Sequence, residues 1–174
     1  MQNADRLRAM VISAAMAALA LVLPVAFHAA GLGSKFLPML LPLLLAGFLV
    51  PLRWAVLTGA LTPLISCLAT GMPPLYPPVV LTVALEGAVL AGVASAAYRN
   101  RPARRWVALL SAIAAGRATA AASTWFLARM FDLPPGVSSV AVLLQGAPGV
   151  ALQLVVIPPV LTYLSHRRSA LFET

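Results

Sequence analysis

The sequence predicts an all-α membrane protein, with six transmembrane helices in one compact bundle and both termini in the cytoplasm. Of the 174 residues, 61% are hydrophobic and only 9% are charged, and the mean hydropathy is +0.96. A water-soluble domain carries about 25% charged residues, so lipid is the expected solvent for most of this chain. Residues 1–174 are therefore expected to form a single integral-membrane domain.

Six apolar segments are separated by short polar, basic or proline-rich connectors. The first is too long for the apolar part of a signal peptide, and further segments follow it at once, so we expect it to be retained. Each segment is predicted to form one helix. The segments are about Leu7 to Ala30, Phe36–Val50, Trp54–Thr70, Val79–Tyr98, Trp106–Phe131 and about Ser139 to Ser165.

The second segment is the shortest apolar run and contains Pro38 and Pro42. If its helix begins near Leu32, it is about 28 Å long, which is just enough to cross the bilayer. Proline removes a backbone donor, so we expect this helix to be distorted near its start.

The basic residues predict the orientation. With the N-terminus inside, the outer side keeps Lys35 and Arg129, and Arg117 lies within the membrane. This bias is the positive-inside pattern, and anionic lipid head groups account for the net charge of +8 without nucleic acid. The nine cytoplasmic residues of the twelve Lys and Arg are Arg6, Arg8, Arg53, Arg99, Arg101, Arg104, Arg105, Arg167 and Arg168.

The sequence lacks the usual motifs of a membrane-bound enzyme. It contains no Gly-rich phosphate loop, no pair of carboxylates spaced for acid–base chemistry, and neither H-x-x-x-H nor C-x-x-C. An ATPase or a membrane hydrolase would need such residues, so we expect a protein that is not an enzyme and has no cofactor of its own.

Three connectors predicted to lie outside are rich in glycine and proline: GLGSK, CLATGMPPLYPP and DLPPGVS. The second, Cys67 to Pro78, begins with the chain's one cysteine. A lone cysteine in a membrane helix packs as a small apolar residue, or its thiolate serves as a soft ligand for a metal that is already held by a macrocycle. His28, at the outer end of the first segment, is either a solvated or capping residue or a ligand contact.

Two charges and one small-residue pattern lie within the apolar segments. Glu86 is about 10 Å and Arg117 about 20 Å from the outer ends of their helices. Because a charge in the membrane is costly, a structural ion pair between them is expected, with proton or substrate coupling as the alternative. Ala14 and Ala18 are one helical turn apart and favour close helix packing, either inside this chain or on a partner.

The segment Leu37 to Pro78, followed by E-G-A-V-L-A-G at Glu86 to Gly92, resembles the S components of energy-coupling factor (ECF) vitamin transporters. The branch it is most similar to includes small cobalamin transporters of the BtuM type. The resemblance implies a multi-pass protein of the bacterial cytoplasmic (inner) membrane that takes up cobalamin or a related corrinoid.

The resemblance also implies roles for particular residues. Cys67 is the expected axial ligand of the substrate's cobalt, and Ala14 and Ala18 are expected to contact a membrane T component driven by two ATPases. The alternative for the partner is a protein that works alone. The alternatives are an S component for a different vitamin-like substrate and a non-transport membrane assembly protein. The residues expected at the outward-facing pocket are Cys67, His28, Met72, Pro73, Tyr76, Phe36 and Trp125.

Overall fold

The structure, a computed structural model, describes residues 3–29, 31, 38–76, 78–100, 104–132 and 139–170. Six helices account for nearly all of these residues, and no strand occurs among them. Phe36 and the side chain of His28 lie outside the described part. The helices are α1 (Asn3–Ala29), α2 (Leu40–Leu49), α3 (Leu52–Thr70), α4 (Val79–Asn100), α5 (Arg105–Met130) and α6 (Ser139–Ala170).

Five of these helices are long and apolar enough to cross a membrane, and α2 is not. With ten residues, α2 is about 15 Å long, which is half the thickness of the hydrocarbon core. The prediction of a spanning second helix that begins near Leu32 is therefore wrong for the described residues. Pro38 lies in a turn and Pro42 in the first turn of α2, where backbone donors have no helical partner to lose. The prolines thus mark the start of the helix rather than a distortion within it.

The sequence of α2, LLPLLLAGFL, is apolar on every side, as expected of a helix that is surrounded by other helices. Seven of its ten residues are buried. Leu43 and Leu44 are fully buried in the main core cluster, together with Leu90 of α4, Leu109 of α5 and Ile157 of α6. The core of the bundle is therefore built around its shortest helix.

Helix α4 packs against α2, α3 and α5 at very short range. A Cβ atom added at Gly59 of α3 would lie 2.2 Å from the carbonyl oxygen of Gly87 in α4. One added at Gly47 of α2 would lie 2.5 Å from the carbonyl oxygen of Ala91. In a membrane, where helices gain little from the hydrophobic effect on meeting, such backbone-to-backbone packing is a main source of helix association.

A tight turn connects α2 to α3. Pro51 caps α3, and its carbonyl oxygen accepts bonds of 2.9 and 3.0 Å from the Trp54 and Ala55 amides. Ser95 of α4 donates a buried hydrogen bond of 2.9 Å to the Val50 carbonyl oxygen. This bond ties the turn to α4. Helix α1, in contrast, lies at the edge of the bundle. Of its most apolar stretch of 18 residues, 11% are buried, against 56% for the corresponding stretch of α4.

Candidate functional site

The C-terminal end of α3 and the loop after it form one end of the bundle. Helix α3 ends at Thr70 and is capped by Gly71, whose φ of 72° is left-handed and whose amide donates to the Cys67 carbonyl oxygen at 2.9 Å. Thr70 Oγ1 donates to the Ser66 carbonyl oxygen at 2.8 Å and accepts from the Met72 amide at 3.3 Å. A left-handed glycine that closes a helix is a common C-cap, and here it turns the chain away from α3.

Cys67 is buried, with 7% of its surface exposed. It shares the packed face of α3 with Thr62, Pro63 and Ser66. Among the described residues, no group of three or more His, Cys, Asp and Glu side chains is close enough to hold a metal ion. The thiol can therefore supply one ligand to a metal that brings its other ligands with it, but the described residues do not form a complete metal centre around it.

The other described pocket residues predicted from the sequence lie at the same end of the bundle. Met72 and Tyr76 are exposed in the loop, Pro73 is half-buried, and the Met72–Pro73 peptide bond is cis. Trp125 is exposed near the C-terminal end of α5, and the Arg129 guanidinium lies over its ring, 5.3 Å from the centroid. These side chains are thus placed around the C-terminal ends of α3 and α5.

Glu86 and Arg117 form an ion pair between α4 and α5. Glu86 is 3% exposed, and Nη1 of Arg117 is buried without a hydrogen-bond partner among the described residues. Gln153 of α6, 2% exposed, is a further buried polar residue of the bundle. Because an isolated charge costs several kcal/mol inside a membrane, the pair stabilises the contact between α4 and α5 only while both partners are present.

A groove of about 520 Å³, which the sequence analysis did not predict, runs between α3 and α5 along the surface of α4. The one sign of it in the sequence is a pair of alanines four residues apart on α4, Ala84 and Ala88, which leave space where larger side chains would fill it. The lining residues are Ala60, Leu64, Leu81, Ala84, Leu85, Ala88, Ser123, Phe126 and Leu127. None of the predicted pocket residues is among them.

The exposed face of α1 carries Ala14 and Ala18, for which the sequence predicts close helix packing inside this chain or on a partner. Ala14 and Ala18 are both exposed, as are Val11 and Val22 on the same face, whereas Ser13 is buried against the bundle. The small residues of α1 are thus divided between the inside of the bundle and its surface. Ala14 and Ala18 form a flat, apolar strip that no other described helix of this chain covers.

Comparison with known proteins assigns a family. The model of the family "ECF transporter, substrate-specific component" matches residues 8–161, a range that reaches from α1 into α6. No protein of curated function and no solved structure matches the chain. Members of this family bind a vitamin for uptake and typically work with a membrane T component and ATPases. The chain therefore belongs to the family of substrate-specific (S) components of ECF transporters.

Proposed function

We propose that this protein takes up cobalamin or a related corrinoid across a bacterial cytoplasmic membrane, with Cys67 as axial ligand of the cobalt. The observation that carries the proposal is the position of Cys67, one turn before the left-handed cap at Gly71 and next to a loop with proline at 73, 74, 77 and 78. A corrinoid holds its cobalt in a macrocycle and needs only axial donors, and a thiolate is a soft donor suited to a transition metal.

The end of the bundle that holds Cys67 has exposed side chains that suit a large and partly apolar ligand. Met72, Tyr76 and Trp125 offer exposed sulfur and aromatic surface at the same end of the bundle. Prolines restrict the loop, which lowers the entropy lost when it becomes ordered around a ligand. His28 and Phe36 belong to the proposed pocket through their positions in the sequence. Because Cys67 is only 7% exposed, cobalt coordination requires neighbouring side chains to move aside.

The test is the visible spectrum of hydroxocobalamin added to the purified full-length protein. We expect the wild-type protein to bind it and to shift its absorption bands, because a thiolate replaces the exchangeable axial ligand. Cys67→Ala should abolish the shift, and Ser66→Ala, a change at the neighbouring buried position, should preserve it. Failure of the wild-type protein to bind any corrinoid would contradict the proposal.

A second candidate is uptake of a different vitamin-like substrate by the same S-component architecture, with Cys67 only packing. The buried Nη1 of Arg117 favours it, because a ligand that carries a carboxylate or phosphate would supply the missing acceptor. Binding of an acidic vitamin that Arg117→Lys weakens, without binding of any corrinoid, would support this alternative. An unchanged cobalamin spectrum and affinity in Cys67→Ala would show that Cys67 only packs. A non-transport assembly protein is the third possibility and would show neither ligand binding nor an ATPase partner.

The exposed strip of α1 is proposed as the contact with the coupling module. Ala14 and Ala18 are exposed, and their small side chains allow the backbone of another helix to approach closely. Uptake would then be driven by the two ATPases bound to the T component. A protein that works alone would not need this strip, so substitutions there distinguish the two modes of action.

A further inference from the structure

The groove between α3 and α5 lies within one leaflet of the bilayer. It begins at Leu81, two residues after the start of α4, and reaches Ala88, so it extends about 10 Å along that helix, which is less than the roughly 15 Å of hydrocarbon in one leaflet. Its volume is about 520 Å³. A groove of this length suits part of an acyl chain that belongs to the same leaflet.

The lining selects for an apolar occupant. Ser123 is the one hydroxyl-bearing residue in it, and its Oγ donates to the Thr119 carbonyl oxygen at 2.7 Å within α5. The other lining residues are Ala, Leu and Phe. A ligand with buried polar groups would find no partner there and would lose hydrogen bonds to water, whereas a hydrocarbon chain has none to lose.

A positive charge lies just beyond the end of the groove. Arg129 follows the lining residue Phe126 by three positions, less than one turn, toward the C-terminal end of α5. Its guanidinium stacks on Trp125, it is exposed, and among the described residues it forms no ion pair. Asp132 lies three residues further along and is also exposed. The end of the groove nearest the head groups thus has an exposed arginine beside it, and a guanidinium suits a phosphate.

We propose that this groove binds an acyl chain of an anionic phospholipid whose phosphate pairs with Arg129. The inference goes beyond the proposed function, because it does not depend on which substrate the protein carries. The lipid belongs to the leaflet that contains the C-terminal end of α5. It would fill the space between α3 and α5 and support the contacts of both helices with α4.

The experiment is native mass spectrometry of the full-length protein in detergent, titrated with dioleoyl-phosphatidylglycerol or dioleoyl-phosphatidylcholine. We expect the wild-type protein to bind phosphatidylglycerol about fivefold more tightly, the factor expected when one arginine meets one anionic head group. Phosphatidylcholine carries the same phosphate but also a choline cation, which opposes the attraction to Arg129, so Arg129→Gln should remove the preference between the two lipids. Arg53→Gln is the matched control, because Arg53 also lies over a tryptophan, 5.6 Å from the Trp54 ring centroid, but away from the groove; it should keep the preference.

A second pair of variants tests the groove itself. Ala88→Phe on α4 and Ala60→Phe on α3 each fill it from a different helix, and either should lower the affinity for both lipids by about tenfold or more. Equal affinity of the wild-type protein for the two lipids, or loss of the preference in Arg53→Gln but not in Arg129→Gln, would overturn the proposal. A folded variant with a filled groove could also bind both lipids as the wild-type protein does but lose a membrane protein that co-purifies with it. That result would assign the groove to the co-purifying protein instead.

Discussion

Gly59 of α3 and Gly87 of α4 are in backbone contact, and neither has room for a methyl group. A Cβ atom at Gly59 would lie 2.2 Å from the Gly87 carbonyl oxygen, and one at Gly87 would lie 2.6 Å from the Gly59 carbonyl oxygen. Both obstacles are main-chain atoms of helices, which cannot rotate away as a side chain can. The spacing of α3 and α4 is therefore set by these two residues.

Gly59→Ala should consequently be among the most destabilising single-methylene changes in this protein. Overpacking a close contact costs about 1–3 kcal/mol, and the backbone position of the obstacle favours the upper end of that range. We expect a fall of several degrees in the midpoint of thermal unfolding in detergent, followed by circular dichroism. Gly92→Ala is the matched control, because its added Cβ would meet the side-chain Cγ2 of Val56 at 2.9 Å rather than backbone. An equal or larger effect of the control would contradict this account.

Removing either partner of the ion pair should destabilise the protein by about 3–5 kcal/mol, because the other charge is left buried and unpaired. We expect Glu86→Leu and Arg117→Met each to show this loss, and the double variant to lose much less than their sum. Unfolding midpoints in detergent measure all three. Arg129→Met serves as control, since it removes an exposed charge from the same helix. Additive losses in the double variant would show that the two side chains do not depend on each other.

Leucine at both Ala14 and Ala18 should release the coupling module without unfolding the chain. The added branches prevent close approach of a partner helix, while the two positions are exposed in this chain. The measurement is the amount of ATPase that co-purifies with the tagged protein from native membranes. Ala114 and Ala118 of α5 have the same spacing and are also exposed, so leucine at both positions is a matched control. Loss of ATPase in the control alone would place the partner on α5.

Much of the helical layout could be predicted from the sequence because charges and prolines mark where lipid ends. The predicted fourth segment, Val79–Tyr98, and the observed α4, Val79–Asn100, share their first residue and differ at the end by two. The error in α2 came from counting Pro38 and Pro42 as interior residues of a span. The local sequence is the same whether a proline starts a helix or lies inside a distorted one. It also does not show that other helices surround α2, which is what allows a short helix to be buried.

The close helix contacts and the groove could not be predicted, for a different reason. Gly59 and Gly87 lie in different segments of the sequence, and only the packing of α3 against α4 shows that they face each other. The groove is an absence of side-chain volume at Ala60, Ala84 and Ala88, which belong to two helices. The cost of burying a charge makes pairing of Glu86 with Arg117 easier to anticipate, since each has few alternatives within the membrane.

The short, buried α2 also has a consequence for the order in which the protein is made. Its close partner on α4, Ala91, is synthesised 44 residues after Gly47, which takes about 2–9 s at 5–20 residues per second. Gly47 leaves the ribosome that much earlier than Ala91, so α2 is exposed before the helix that packs most closely against it has been made. A nascent chain that stops before α4 therefore leaves Gly47 without its backbone contact.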